Sequence, residues 1–283
     1  SQRSVFVVIP NDAAITEGIS PGLTTYFIVS LLEFSDRDWQ LTKNTVFVDQ
    51  LVLPRAVAAA QGGILYVSDY KLWFARDKDC DGKAEQNELL DPAYGSGNVE
   101  HGPNGLMRAM DNWIYNAESP WRYRFVGGAL VKQRTEFRGQ WGMTQDNYGR
   151  LFYNVNNSQL LGDFTPPNYM SRNPHHRTSA GLNLAVAADQ RVFTIRMNTA
   201  VNRGYLTNVL DPAGQLYVFS SSCSPVIYRG DNYPAEFQGN AFVCDPSANL
   251  IKRNLVFEQN LTLTSKFGYE NSEFLASTDE RFR

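Results

Sequence analysis

Three aspartates at alternate positions, Asp77, Asp79 and Asp81, are followed at once by Gly82, so hard oxygen ligands crowd into five residues. Like charges packed that closely make electrostatic sense when a cation neutralises them. The twelve residues from Asp77 to Glu88 have the spacing of a loop that wraps calcium. Carboxylates stand at positions 1, 3 and 5, a turning glycine at 6, the carbonyl of Lys83 at 7, Glu85 at 9 and a potentially bidentate Glu88 at 12. Calcium takes six to eight oxygens, and one ion bound here would consume all that the loop offers, so the expected role is structural. The competing explanation is a polar Asp-Gly hairpin turn that needs no ion.

The segments that must position this loop are strands. Ile64-Leu-Tyr-Val-Ser and Lys71-Leu-Trp-Phe-Ala-Arg are short and rich in β-branched and aromatic residues, which is wrong for a paired-helix calcium sensor. A turn containing Asp, Asn or Gly, then Leu or Ile and an aromatic, then a short strand recurs along the chain. It appears as Gly62-Gly-Ile-Leu-Tyr-Val, Asp111-Asn-Trp-Ile-Tyr-Asn, Asp146-Asn-Tyr-Gly-Arg-Leu-Phe-Tyr-Asn and Asp211-Pro-Ala-Gly-Gln-Leu-Tyr-Val. Repetition of one hairpin unit without helical periodicity predicts an all-β chain, and a β-propeller rather than a sandwich, since a sandwich need not repeat the same signature. The spacing is irregular, and the segment from Gly162 to Arg177, with Thr165-Pro-Pro-Asn and Asn173-Pro-His-His, predicts a long surface insertion.

Bulk properties exclude several classes. The 283 residues are 43% hydrophobic and 13% aromatic, enough for a substantial core, and 21 glycines with 13 prolines supply turns. A formal charge of -3 with no basic run argues against nucleic acid as a partner. No stretch of about 20 apolar residues predicts a membrane span. The run Tyr26-Phe-Ile-Val-Ser-Leu-Leu has the length of a strand and lacks the charged leader and cleavage site of a signal peptide. Three cysteines contain no Cys-x-x-Cys, which leaves no zinc ribbon and no covalent haem attachment. Cys223 and Cys244 fall in consecutive strand-like segments and could be bridged or free. A bridge would indicate an oxidising compartment, in keeping with a millimolar-calcium environment.

Several runs together resemble a known family. They are Leu72-Trp-Phe-Ala-Arg-Asp-Lys-Asp-Cys-Asp-Gly-Lys-Ala-Glu, Asn98-Val-Glu-His-Gly-Pro-Asn-Gly-Leu, Arg138-Gly-Gln-Trp-Gly-Met-Thr-Gln-Asp-Asn-Tyr-Gly-Arg, Val201-Asn-Arg-Gly-Tyr, Ile227-Tyr-Arg-Gly-Asp and Phe274-Leu-Ala-Ser-Thr-Asp. In this order they resemble the propeller domain of the membrane-bound dehydrogenases of planctomycete-type bacteria. Those proteins are similar to sorbosone dehydrogenase and more distantly to soluble quinoprotein glucose dehydrogenase. The resemblance covers residues 29–283 and implies a six-bladed β-propeller there, with residues 1–28 as a poorly matched N-terminal segment. Two features depart from the pattern. Ser35-Asp36-Arg-Asp38-Trp lacks the glycine and third acid of a first calcium loop, and a complete six-bladed ring calls for strands beyond those encoded here.

The resemblance implies a periplasmic or extracellular quinoprotein-type dehydrogenase that oxidises a sugar or related aldehyde with pyrroloquinoline quinone, beside a structural calcium. It carries His101 over as the base, and an imidazole suits that task near neutral pH. It carries Arg138 and Arg203 over as guanidinium forks for the quinone carboxylates. The bland alternatives are a His101 that bonds a loop carbonyl and arginines that form ion pairs between sheets. Two other readings stand beside the enzyme. One is a non-catalytic, calcium-stabilised propeller serving as accessory or docking subunit of a cytochrome-containing assembly; the other is a calcium-dependent lactonase-like hydrolase. Fold does not choose among them.

Overall fold

The computed structural model describes residues 3–10, 27–98, 101–176, 180–197 and 208–282. Two compact units emerge, Ser1–Leu106 with Phe125–Val131, and Met107–Arg124 with Lys132–Arg283. Apart from two short 3-10 turns, Met170–Arg172 and Ala235–Phe237, the regular structure among the described residues is all strand.

The strands form antiparallel sheets in which sequence neighbours are mostly spatial neighbours. A three-stranded sheet contains β1 (Arg3–Pro10), β2 (Phe27–Phe34) and β3 (Leu41–Leu51). A four-stranded sheet follows with β4 (Ala56–Ala60), β5 (Gly63–Ser68), β6 (Lys71–Arg76) and β7 (Gln86–Asp91). The next has β8 (Asn104–Arg108), β9 (Ile114–Ala117), β10 (Ser119–Val126) and β11 (Ala129–Arg138). The fourth has β12 (Met143–Gln145), β13 (Leu151–Val155), β14 (Ser158–Gly162) and β15 (Leu184–Ala185). The last runs β16 (Cys223–Ile227), β17 (Ala241–Asp245), β18 (Leu250–Gln259) and β19 (Thr262–Phe267), with β20 (Leu275–Ala276) also on β18. Between the fourth and fifth lie two isolated bridges, Arg191 with Val218 and Leu210 with Leu216. Four-stranded meanders of this kind are propeller blades, and the chain is all-β and propeller-like.

The repeated sequence signature explains the hairpins. Each turn aspartate uses its side chain to hold the backbone that follows. Asp111 Oδ1 accepts from the N–H of Trp113, Asp146 Oδ1 from Tyr148 and Arg150, and Asp211 Oδ1 from Ala213 and Gln215. At Gly149 the backbone sits at φ +76°, a region that glycine enters without penalty. The apolar residues after the turn then go inward. In the first unit Val29, Phe47, Leu51, Ile64 and Tyr66 pack together. In the second, Phe152, Leu160, Phe219, Val243 and Leu250 belong to the main cluster, and Trp113, Tyr115 and Leu151 form a smaller one.

The predicted insertion is present as the connection from β14 to β15, with His175 and His176 exposed on it. Cys223 and Cys244 face each other across the β16–β17 ladder, as the sequence allows, and both are free thiols.

Candidate functional site

The aspartate loop joins β6 to β7, two adjacent strands whose last pair before the loop is Arg76 with Gln86. Its backbone is folded onto its own carboxylates. Asp77 accepts from the N–H groups of Cys80 at 2.6 Å and Gly82 at 2.8 Å. Asp79 accepts from Asp81 at 3.2 Å, Asp81 from Lys83 at 2.7 Å and Glu85 from Lys78 at 2.7 Å. Gly82 is required: its φ is +95°, and a Cβ would come within 3.2 Å of Thr45. The loop is seated against β3 through the bond from the Ala84 N–H to the Phe47 carbonyl and through Lys43 Nζ, 3.3 Å from the carbonyl of Asp81. Desolvation pulls the Asp77 carboxyl upward, but the N–H groups of Gly82 and Cys80 outweigh it and hold the group below its ordinary value.

One oxygen each of Asp77, Asp79, Asp81 and Glu85 lies within 4.8 Å of the others. An all-oxygen, all-anionic donor set fits a hard cation such as calcium and not zinc. Glu88 stands outside this group. In a helical calcium loop the chain turns back so that position 12 closes on the ion; here β7 begins at Gln86 and extends by about 3.3 Å per residue. The Glu88 carboxylate instead accepts from the Gln86 side chain, and Glu85 takes the closing place. Lys83 contributes its N–H to Asp81.

His101 is exposed, on the loop before β8, with its N–H donated to the carbonyl of Asn98 at 3.0 Å. Arg138 ends β11 and is buried. Its Nε donates to Asp163 at 2.5 Å, Nη2 to Glu136 at 2.9 Å, and Nη1 to Thr135 and the Glu136 carbonyl. Asp163 also accepts from the Tyr153 hydroxyl at 2.7 Å and the Asn183 N–H at 2.9 Å. Burial pulls the Arg138 pKa down, yet the two carboxylates more than restore it. Arg138 thus makes the ion pair that the bland alternative expected, and it clamps the base of the β14–β15 insertion. Arg203 lies outside the described residues.

That insertion walls a cleft of about 700 Å³ in the second unit, which the sequence alone did not signal. Trp113, just before β9, lines it together with Arg122 and Arg124 of β10. Arg122 and Arg124, two residues apart on β10 and so on one face, hold their guanidinium carbons 4.2 Å and 4.5 Å from the centre of the Trp113 ring. Arg122 also donates to Gln133 and to the Tyr115 hydroxyl, which in turn donates to Asp111. The insertion contributes Pro166, Pro167, Tyr169 and Arg172. It is tied to β11 by Asn168, which donates to the Arg134 carbonyl at 2.9 Å and accepts from the Thr135 hydroxyl at 2.6 Å.

A second buried pair also escaped the sequence reading. Lys252 on β18 meets Glu273 at 2.8 Å, and the ammonium lies 3.9 Å from the Phe267 ring centre. Desolvation lowers the lysine pKa and raises that of the glutamate, despite their attraction. Twenty residues and two turns separate them in sequence, and nothing in either local pattern marks the pairing.

These sheets and turns define an all-β, propeller-like chain with one convergent acidic loop among its described residues. Residues 20–283 match a protein family described as a domain of unknown function, DUF7133, and the chain belongs to that family. Comparison with curated proteins gives no match. Solved structures similar to it include Hsv2 of Kluyveromyces lactis, at 10% identity and a TM-score of 0.38, covering 86% of this chain and 70% of that one. Another is a Bacteroides uniformis protein assigned as a 6-phosphogluconolactonase, at 12% identity and the same TM-score, covering 91% of this chain and 82% of that one. Likeness at that level carries no inference about chemistry. No helix among the described residues is long and apolar enough to cross a membrane.

Proposed function

We propose that the protein is a calcium-stabilised, non-catalytic binding module that works outside the cytoplasm as an accessory or docking subunit, beside a redox partner such as a cytochrome. The observation that carries the choice of binding over oxidation is Arg138. Its guanidinium is spent on Asp163, Glu136 and Thr135 within its own unit, so a quinone carboxylate would have to displace a buried ion pair. Calcium is supported by the four carboxylates that converge between β6 and β7. Residues Asp77, Asp79, Asp81 and Glu85 would hold the ion, which ties the β6–β7 connection to itself and screens its like charges. Extracellular calcium, in the millimolar range, matches the weaker class of such sites.

The test is to incubate purified protein with calcium and pyrroloquinoline quinone, then follow absorbance and dye reduction with a panel of aldoses and aldehydes, and separately the hydrolysis of sugar lactones. This reading expects no turnover in either arm. Dye reduction that disappears in His101→Ala would replace it with the quinoprotein dehydrogenase reading, and calcium-dependent lactone hydrolysis would replace it with the hydrolase.

A further inference from the structure

The cleft of the second unit is furnished for a ligand that carries both a negative charge and hydroxyl groups. Arg124 and Arg172 are exposed and line it. Neither makes an ion pair with any described residue; their recorded partners are ring faces, Trp113 for Arg124 and Tyr169 for Arg172, the latter at 5.9 Å. Elsewhere in this unit guanidinium groups find carboxylates: Arg138 has Asp163, and Arg150 has Asp146 and Glu258. A planar fork that stacks on an aromatic keeps its edge donors available, and those donors match a carboxylate or sulfate with two parallel hydrogen bonds.

Three more features narrow the ligand. Asp111 lines the same cleft, and its carboxylate is 39% exposed. An acceptor-only group beside arginines repels a polyanion but receives hydroxyl donors. Tyr148 and Tyr169 expose 79% and 58% of their surface at the cleft, offering flat rings to the C–H face of a sugar. The wall carrying Tyr169 and Arg172 is stiffened by Pro166 and Pro167 and locked to β11 through Asn168, so little ordering is needed on binding. A volume near 700 Å³ falls within the range of small-ligand pockets.

We propose that this cleft binds an acidic oligosaccharide, its carboxylate or sulfate held by Arg124 and Arg172 and a sugar ring laid on Tyr169. The inference uses no residue of the aspartate loop and stands whether or not that loop binds calcium.

Calorimetric titration of the full chain in EDTA tests it. The probes are trigalacturonate, a carrageenan-derived tetrasaccharide that is sulfated but free of uronate, a neutral galactotriose, and AMP. At least one charged oligosaccharide is expected to bind saturably. It should bind about tenfold or more tighter than galactotriose and weaken as salt rises, and whichever of the two binds better tells carboxylate from sulfate recognition. Arg124→Gln and Arg172→Gln should each weaken it about tenfold. Arg172→Lys should recover only part of the loss, and thermal unfolding should be unchanged in all three. Equal binding of charged and neutral sugars overturns the proposal. So do unaltered binding in the double glutamine variant, tighter binding of AMP, and no saturable binding of either charged oligosaccharide at about 10 mM.

Discussion

Charge is handled in opposite ways in two parts of this molecule. Between β6 and β7, Asp77, Asp79, Asp81 and Glu85 gather like charges in a loop open to water, their carboxylates accepting from the loop's own backbone N–H groups. At the end of β11, Arg138 and Asp163 put opposite charges together where water is excluded. A buried pair finds its counterion within the chain, so its loss is a loss of stability. An exposed group of one sign leaves its counterion to be supplied from solution, so its loss should be felt as a loss of ion dependence. Lys252 and Glu273 belong with the first kind, and Arg124 and Arg172 resemble the second with the sign reversed.

Breaking the buried side of this comparison gives the largest effect. Arg138→Met leaves Asp163 charged, buried and deprived of its cation, and should cost about 3–5 kcal/mol in urea unfolding. The insertion should loosen with it, because Asp163 also anchors Asn183, and amide exchange in residues 163–176 should quicken. An Arg138→Met variant with native stability would show that the pair does not hold the insertion.

Lys252→Met should cost less, roughly 2–3 kcal/mol at neutral pH, since the stranded Glu273 can take up a proton. The sign follows from its raised pKa. A carboxyl whose folded pKa lies above its ordinary 4.5 contributes stability fully below that value, and the contribution is lost as pH rises through the folded pKa. The variant should therefore come closer to the wild type near pH 4 than at pH 7. A deficit that is constant between those values would argue against a charged, buried Glu273.

The exposed side should respond to ions. Calcium at about a hundred times its dissociation constant should stabilise the fold by about 2.7 kcal/mol against unfolding, and EDTA should reverse this. Asp79→Asn and Asp81→Asn should each remove most of the shift, while Glu88→Gln should leave it nearly intact, because Glu85 and not Glu88 joins the group. A Glu88→Gln variant as insensitive to calcium as Asp81→Asn would restore the helical-loop arrangement.

The smallest effect concerns the facing thiols. Burial pushes Cys223 up from 9.0 to about 11, helped by its neighbour Cys244. A thiol raised in this way contributes stability below about pH 9 that is lost as pH climbs towards 11. The protein should lose about 1 kcal/mol by pH 10 through this group, and Cys223→Ala should flatten that slope.

What the residues revealed in advance depended on range. The acidic cluster was legible because its carboxylates lie within nine residues of one another, and the hairpins because each turn aspartate caps N–H groups two to four residues away. The surface insertion was legible from its prolines. The place of Glu88 was not legible: it lies outside the acidic cluster because a strand, and not a helix, leaves the loop. The partner of Arg138 lies 25 residues on, and that of Lys252 lies beyond two further turns, so tertiary packing alone creates both pairs. The cleft was hidden for the same reason, since Arg124 and Arg172 come to line one cavity only in the folded unit.

Calcium titration by calorimetry, on the wild type and on Asp77→Asn/Asp81→Asn, tests the central claim most directly. One ion per chain is expected for the wild type, and no heat is expected for the double variant. Equal calcium binding by both proteins, or none by either at millimolar calcium, would contradict a cation-stabilised loop.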